Sequence, residues 1–390
     1  MKKRFAQVAE YIDTHREDML RDWKRIVEVE SHTGDPDGVR NVASVLQNMF
    51  EEAGLCCRLI ETGAGPTLSG ILGAERPGKP ILFTGHMDTV FAKGTFGDDL
   101  FRLEDGKAYG PGCLDMKGGI IIALYVIKAL NSVGYDETPL KIVFSGNEET
   151  AHDASNGAEV FVGEVMGGRF AFNMETGYPN NALVLARKGC MNCEVVISGV
   201  EAHSGNDFFA GKNAILEAAH KGIAFAALTD PEKETTVNLG TVQGGTMPNC
   251  VAGSCTLVLD CRFWTVAEKE RLEREIVRIA EHSFVEGTSV TIRFFGGYPP
   301  FEDNPLTRRF YEHCCKSAEA VGLDAPLSRV AGGSSDASHL FMQQVPVICS
   351  FGVQGEWNHT TREYAIVDSL FSRAKLVAAA ILNQSAFPDM

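Results

Sequence analysis

Short aliphatic runs alternate with helical patterns through the first half of the chain. Lys79 to Thr84, Leu140 to Ser145 and Arg169 to Asn173 read as buried strands. Helical patterns fall between them, from about Asp115 to Ser132 and from Ala154 to Met166. Such alternation predicts an α/β layer around a central, largely parallel sheet. Ligands in such folds gather beyond the carboxyl ends of strands, and His86, Glu148, Glu149 and Glu175 all lie just after one.

The rhythm changes from about Arg187 to Phe295. Strand Met191 to Ser198, helix Ala210 to Leu228, strands Thr235 to Val242 and Cys255 to Arg262, helix Val266 to Phe284 and strand Ser289 to Phe295 follow in turn. This β-α-β-β-α-β order predicts a ferredoxin-like α+β module. The expected organisation is a first domain of residues 1–186 and 296–390, interrupted by a second at 187–295. Helix and strand patterns resume at Pro305 to Val321, Val345 to Ser350 and Val367 to Asn383, so His359 must return to the first half to join a site there.

Composition narrows the class. A length of 390 residues suggests two domains, and 44% hydrophobic with 22% charged residues is ordinary for a globular protein. The formal charge of -15 argues against nucleic acid or an anionic membrane surface as the main partner. Eleven cysteines, an odd count that includes the adjacent pairs Cys56-Cys57 and Cys314-Cys315, fit reduced thiols in a cytoplasm better than a disulfide framework. Met1 to Asp22 is charged and amphipathic, without an apolar signal core. The apolar stretch Gly118 to Leu130 contains Lys128 and is too short to span a bilayer, so it reads as a buried helix.

Five metal-type ligands stand in suggestive surroundings: His86 in G-H-M-D, Asp115 in G-P-G-C-L-D, Glu149 in N-E-E, Glu175 in N-M-E-T-G and His359 in W-N-H-T-T. Hard carboxylates and imidazoles with few thiolates suit a two-metal hydrolase, with zinc, cobalt or manganese as the ion. His86 and Asp88 project to one side of an extended segment, so one can ligate while the other orients it. Taken alone, His86-x-Asp88 also fits a loop histidine with a capping acid, and Asp115 fits a helix N-cap. Glu148 and Glu149 follow a buried strand, and their divergent directions suit a division between base and ligand.

These motifs together resemble the dinuclear zinc exopeptidases and deacylases, a family that includes glutamate carboxypeptidase, acetylornithine deacetylase, succinyl-diaminopimelate desuccinylase and aminoacylase. The resemblance runs over most of the chain. It implies two zinc ions bridged by Asp115, one completed by His86 and Glu175, the other by Glu149 and His359. It also implies that Asp88 orients His86, that Glu148 is the general base, and that the Asp115-Met116 peptide bond is cis. The inserted module resembles the family's lid and dimerisation domain. There, Val200-Glu201-Ala202-His203-Ser204-Gly205 matches an element whose histidine reaches the partner subunit's site and stabilises the oxyanion. Gly244 to Asn249 and the strand ending at Arg262 look like the element that holds a substrate's terminal carboxylate, through Asn249 and Arg262. A surface histidine and a plain Asp260-Arg262 ion pair are the competing readings. Gly332-Gly333-Ser334-Ser335-Asp336-Ala337 matches a family segment whose glycine turn, at Gly333, can face a carboxylate; a helix-capping loop is the alternative.

One stretch departs from the family pattern. After Glu149 the chain reads Thr-Ala-His152-Asp-Ala-Ser-Asn-Gly, where many relatives have a glycine-serine turn, and His152 is expected to be a loop residue outside the ligand set. His15, His32, His220, His282, His313 and His339 have no ligand context. Gly73 to Lys79 begins like a phosphate loop but is followed by Pro80, and Cys190-x-x-Cys193 lacks a second pair. No G-x-S-x-G elbow is present.

The expected activity is hydrolysis of an amide or peptide bond that releases a terminal amino acid, in the manner of glutamate carboxypeptidase. An N-acyl-amino-acid deacylase is the alternative, ahead of a dipeptidase or tripeptidase and of a non-catalytic metal-binding homologue. The substrate is a small peptide or N-acyl amino acid, and the expected assembly is a homodimer through the inserted module.

Overall fold

The computed structural model describes residues 1–387. The chain forms two compact units, one of Met1–Ala186, Asp303–Ala331 and 335–387, the other of Arg187–Glu302 and Gly332–Ser334.

The first unit is a mixed α/β layer. Its six-stranded sheet runs Cys56–Ile60, Thr67–Leu72, Leu140–Ser145, Ile81–His86, Phe170–Asn173, Val347–Ile348. Pairings from Leu140–Ser145 through Val347–Ile348 are parallel, and the two at the other edge are antiparallel. Ile81–His86 lies inside the parallel part and is buried along its whole length, which is why it reads as an unbroken aliphatic run rather than an alternating one. The helix Gly118–Ser132 is buried on nearly every side, as its composition requires, and packs against Val367–Leu382. Phe83, Phe144, Phe170, Phe172, Phe310 and Phe351 contribute to one continuous core beneath the strand ends.

The second unit has its own core, built from Met191, Val195, Ile197, Leu257, Leu259, Leu272 and Ile276 among others. Its antiparallel sheet has the order Thr236–Gly244, Ser254–Phe263, Gly189–Ser198, Ser289–Tyr298, with helices Ala214–Ala226 and Val266–Glu281. Strand Gly189–Ser198 alternates buried and half-buried positions, so one face meets the helices. The last strand runs to Tyr298, past a register shift between Phe295 and Gly297 that interrupts its alternation.

Among the described residues, no helix is long and apolar enough to cross a membrane. All eleven cysteines are unpaired thiols.

Candidate active site

Five segments of the first unit deliver acids and imidazoles to the carboxyl ends of the parallel strands. His86 is the last residue of Ile81–His86 and pairs in register with Ser145. Glu148 and Glu149 follow Leu140–Ser145, and Glu175 stands two residues beyond Phe170–Asn173. Asp115 sits in the distorted turn Cys113–Lys117 ahead of the long buried helix, with φ -116° and ψ 94°, and its peptide bond to Met116 is cis. Its side chain caps no helix; it turns towards the two histidines. His359 arrives from a surface turn with φ 62°.

Two groups result, and Asp115 belongs to both. His86 Nε2 lies 3.3 Å from Asp115 Oδ1 and 3.4 Å from Glu175 Oε1. His359 Nε2 lies 3.2 Å from Asp115 Oδ2 and 3.2 Å from Glu149 Oε2. Charge-assisted hydrogen bonds between nitrogen and carboxylate are shorter, about 2.7–2.9 Å. A tetrahedral ion with bonds of about 2.0–2.1 Å sets its donors about 3.3 Å apart, the spacing seen in both groups.

Tautomer chemistry leads to the same place. His86 Nδ1 is 3.0 Å from the backbone carbonyl of Asp88, an acceptor only, so Nδ1 carries the proton. A neutral ring would then turn its Nε2 lone pair towards two carboxylate oxygens, an arrangement that a bound cation would complete. Glu149 Oε1 adds a second sign, since it is buried without a hydrogen-bond partner. Five carboxylates, Asp88, Asp115, Glu148, Glu149 and Glu175, share this region with two imidazoles. The residues present therefore fit a pair of hard divalent cations.

Burial pushes Asp115 up, but hydrogen bonds from His359 and His86 outweigh it and hold its carboxyl well below the usual range. Burial likewise opposes a charged His86, yet the Glu175 charge and the neighbouring acids raise it well above its ordinary value. Glu148 moves the other way: desolvation, together with Glu175, Asp336 and Glu149, raises it well above 4.5 against the opposing pull of His86. A buried carboxyl that takes up a proton readily is the property a general base needs.

Asp88 does more than the sequence suggests. Its carboxylate is 3.4 Å from His86 Nδ1, and it also accepts the backbone amides of Glu148 and Glu149, each at 3.1 Å. One acid thus ties the His86 strand end to the turn carrying both glutamates.

Several contributors escaped the sequence reading. Asn358 Nδ2 donates to Asp115 Oδ2 at 3.0 Å, and its place beside His359 in W-N-H-T-T was the available signal. Buried Glu363 accepts the Leu114 amide at 3.0 Å, and desolvation raises it to about 8. Buried Lys117 donates to the Val29 carbonyl at 2.8 Å, and desolvation lowers it to about 7. His152, expected as a loop residue, is in a loop but buried, and with Asp336 and His339 it forms a third cluster.

The remaining expected residues lie in the second unit. His203 is exposed, and its Nδ1 accepts the amides of Gly205 and Asn206, both at 3.1 Å. The neutral ring therefore carries its proton on Nε2, as a donor. Asn249 is its neighbour across a short ladder: His203 pairs with Cys250, and the Ser204 amide donates to the Asn249 carbonyl at 3.0 Å. Arg262 grips Asp260 with two bonds of 2.8 Å, so the ion pair of the competing reading does form, leaving Nη1 outside it. The Gly333 carbonyl accepts from Arg187 Nη1 at 3.0 Å. Asp336, the N-cap of helix Ala337–Met342, makes no capping bond with its side chain, which points to His152 and Ser145 instead.

Comparison with known proteins decides the family, because the model of peptidase family M20/M25/M40 matches residues 82–383. The chain belongs to that family. It is accordingly an enzyme, a metallopeptidase or amidohydrolase. It is 25% identical over 373 residues to carboxypeptidase G2 of Pseudomonas sp. (strain RS-16), covering 94% of this chain and 89% of that one. Acetylornithine deacetylase of Myxococcus xanthus is 32% identical over 280 residues, 66% of this chain and 71% of the relative. Among solved structures, aminopeptidase PepT from Bacillus cereus superposes with a TM-score of 0.76 at 24% identity, over 95% of this chain and 99% of that one. At that identity the structural likeness speaks for the M20 fold.

Proposed function

We propose that this M20 enzyme is a dizinc hydrolase that releases a terminal amino acid from a small peptide or N-acyl amino acid, in the manner of a glutamate carboxypeptidase. The observation that carries it is the pair of donor groups meeting at Asp115 with metal-like spacing. His86, Asp115 and Glu175 would hold one ion, and Asp115, Glu149 and His359 the other. When bound, the ions lower the pKa of a water to about 7 and polarise the scissile carbonyl.

The protein's own groups do the rest. Glu148 takes the attacking water's proton and passes it to the leaving amine. Asp88 fixes the backbone of Glu148 and orients His86. His203, protonated on Nε2, donates to the developing oxyanion from the partner subunit. Asn249 and the outer edge of Arg262, whose orientation Asp260 fixes, position the substrate carboxylate, with the Gly333 turn at the rim.

A homodimer formed by the second unit, acting as lid and dimerisation domain, supplies that histidine. Its support is an exposed apolar face on helix Ala214–Ala226, where Ile215, Leu216 and Ile223 are 43%, 50% and 74% exposed, beside Thr236–Gly244, an edge strand with one unpaired side. Eleven unpaired thiols support a cytoplasmic location.

An N-acyl-amino-acid deacylase is the second reading, favoured by the 32% identity to acetylornithine deacetylase. Amine release from N-acyl-glutamates and from short peptides, each paired with its C-terminal carboxamide, tests the proposal. Strong preference for the free carboxylate in peptides supports the carboxypeptidase. Preference for small N-acyl groups supports the deacylase, and equal turnover of acid and carboxamide removes Arg262 from substrate binding.

A further inference from the structure

Behind the turn that carries Glu148, the carboxylate of Asp336 joins two segments. Its Oδ2 accepts the Ser145 hydroxyl at 2.7 Å, at the end of the strand before the turn, and its Oδ1 lies 2.7 Å from His152 Nε2, within the turn. Asp336 and His152 are 0% and 4% exposed. His152 Nδ1 is 3.0 Å from Asn147 Oδ1, and Asn147 Nδ2 donates to Ser155 Oγ at 2.7 Å, which fixes the amide's orientation. Asn147 therefore offers an acceptor, and His152 Nδ1 must carry a proton. Nε2 faces a carboxylate at hydrogen-bond length, so it carries one too. The pair is a buried imidazolium and carboxylate; opposing burial, Asp336 raises His152 above its ordinary range, and His152 helps to hold Asp336 below its own.

The backbone between these anchors is forced. Ala151, His152 and Ala154 have φ of 52°, 56° and 54°, left-handed values that non-glycine residues adopt only where their surroundings impose them. The Ala151 amide closes back on the Glu148 carbonyl at 2.7 Å, so the left-handed turn begins on Glu148 itself. Asp88 holds the amides of Glu148 and Glu149 from the other side.

A third metal ion would be the other use of His152, Asp336 and His339. The 2.7 Å separation speaks against it, being a hydrogen-bond length and shorter than the 3.2–3.4 Å spacings of the two groups at Asp115. His339 packs its ring 5.7 Å from that of His152 and 6.1 Å from that of Phe161. Burial lowers it to about 4, so it stays neutral.

We propose that His152 and Asp336 are positioning residues that lock the turn so that Glu148 presents its carboxylate in one orientation. This rests on the reading of Glu148 as the base.

The experiment compares His152→Ala, Asp336→Ala and Asp336→Asn for kcat, KM and metal content. Asparagine keeps the Ser145 bond and can donate to a neutral His152, so Asp336→Asn should stay within about threefold of wild type. The alanine chains should lose kcat by about 10–100-fold, with KM within about twofold and two metal equivalents retained. In a Glu148→Gln background, His152→Ala should cost less than about twofold more, since both act through one carboxylate. Wild-type kcat in the alanine chains, an undiminished further loss in the Glu148→Gln background, or a third metal equivalent would overturn the proposal. If the alanine chains fail to fold, His152→Gln, which can reach Asp336 but lacks the second nitrogen for Asn147, should show the same kcat loss, and wild-type kcat there overturns it. Unimpaired turnover by Glu148→Gln alone would instead remove the base assignment.

Discussion

Gly119 packs directly against the carbonyl oxygen of Met174, so closely that a Cβ at position 119 would overlap that oxygen. The buried helix Gly118–Ser132 thereby touches the segment that ends in Glu175. Gly119→Ala must push the two apart, which should cost about 1–3 kcal/mol and shift Glu175 away from His86. Chemical denaturation should show the loss of stability, and a metal titration should show weakened binding. Wild-type values in both would mean that the contact relaxes without moving Glu175.

Removing metal should destabilise the first unit. Without ions, acids converge on Asp115 and Glu149 Oε1 stays buried without a partner. At free zinc about 1,000 times above the dissociation constant, binding contributes about 4 kcal/mol. Melting curves should therefore fall on chelation and recover when zinc is restored. Superimposable curves would argue against bound ions in the native fold.

Acid should loosen the second unit through Glu268, which closes the first turn of Val266–Glu281 opposite Thr265. Hydrogen bonds from Arg271, joined by Lys233 and Thr235 and only partly opposed by burial, hold its carboxyl at about 2 against an ordinary 4.5. A depressed folded-state pKa adds stability above the unfolded value, and that stability disappears as pH falls through the folded one. Because Lys233 is half-exposed, the contribution is put at about 1–2 kcal/mol. Glu268→Gln should lower stability by that amount at pH 7, and the gap to wild type should close between pH 4.5 and 2. A gap independent of pH would remove the electrostatic explanation.

If two copies meet through the second unit, Ile223→Glu should shift the assembly from dimer to monomer in light scattering, since Ile223 is 74% exposed on an apolar face. Mixing inactive Glu148→Ala and His203→Ala chains should restore activity in heterodimers that carry one intact site. A monomeric wild type, or heterodimers without turnover, would count against His203 acting across the dimer.

Much of this architecture was legible in the chain because burial writes directly into residue choice. Leu140–Ser145 matches its aliphatic run end for end, and Gly189–Ser198 shows the alternation of a one-sided sheet. Among the donors at Asp115, His86, Glu149 and Glu175 stood out because they follow strand ends and Asp115 because it precedes the buried helix, whereas His359 was singled out by its W-N-H-T-T surroundings. Pairings across distance were not. Nothing near Asp336 announces His152, 184 positions earlier, and a histidine amid Thr, Ala and Asp looks like solvent-exposed loop. Lys117 and Glu363 carried no signal in the sequence, because only packing shows that they are buried. The sheet joining Arg102–Glu104, Lys107–Tyr109, Gly355–Glu356 and Tyr364–Ile366 has strands of two or three residues, too short for periodicity to register. The Arg262 motif was visible in the sequence, but its bidentate hold on Asp260 was not, since only the fold sets the rotamers that join the two side chains.

The central claim is that two ions on the groups sharing Asp115 make this chain an amide hydrolase. Stepwise zinc titration of the chelated protein, with amine release from an N-acyl-glutamate followed at each step, tests it most directly. Turnover should be absent at the start and reach its plateau at two equivalents per chain. Full turnover in the metal-free protein, or none at any zinc level across acyl-glutamates and peptides, would contradict it.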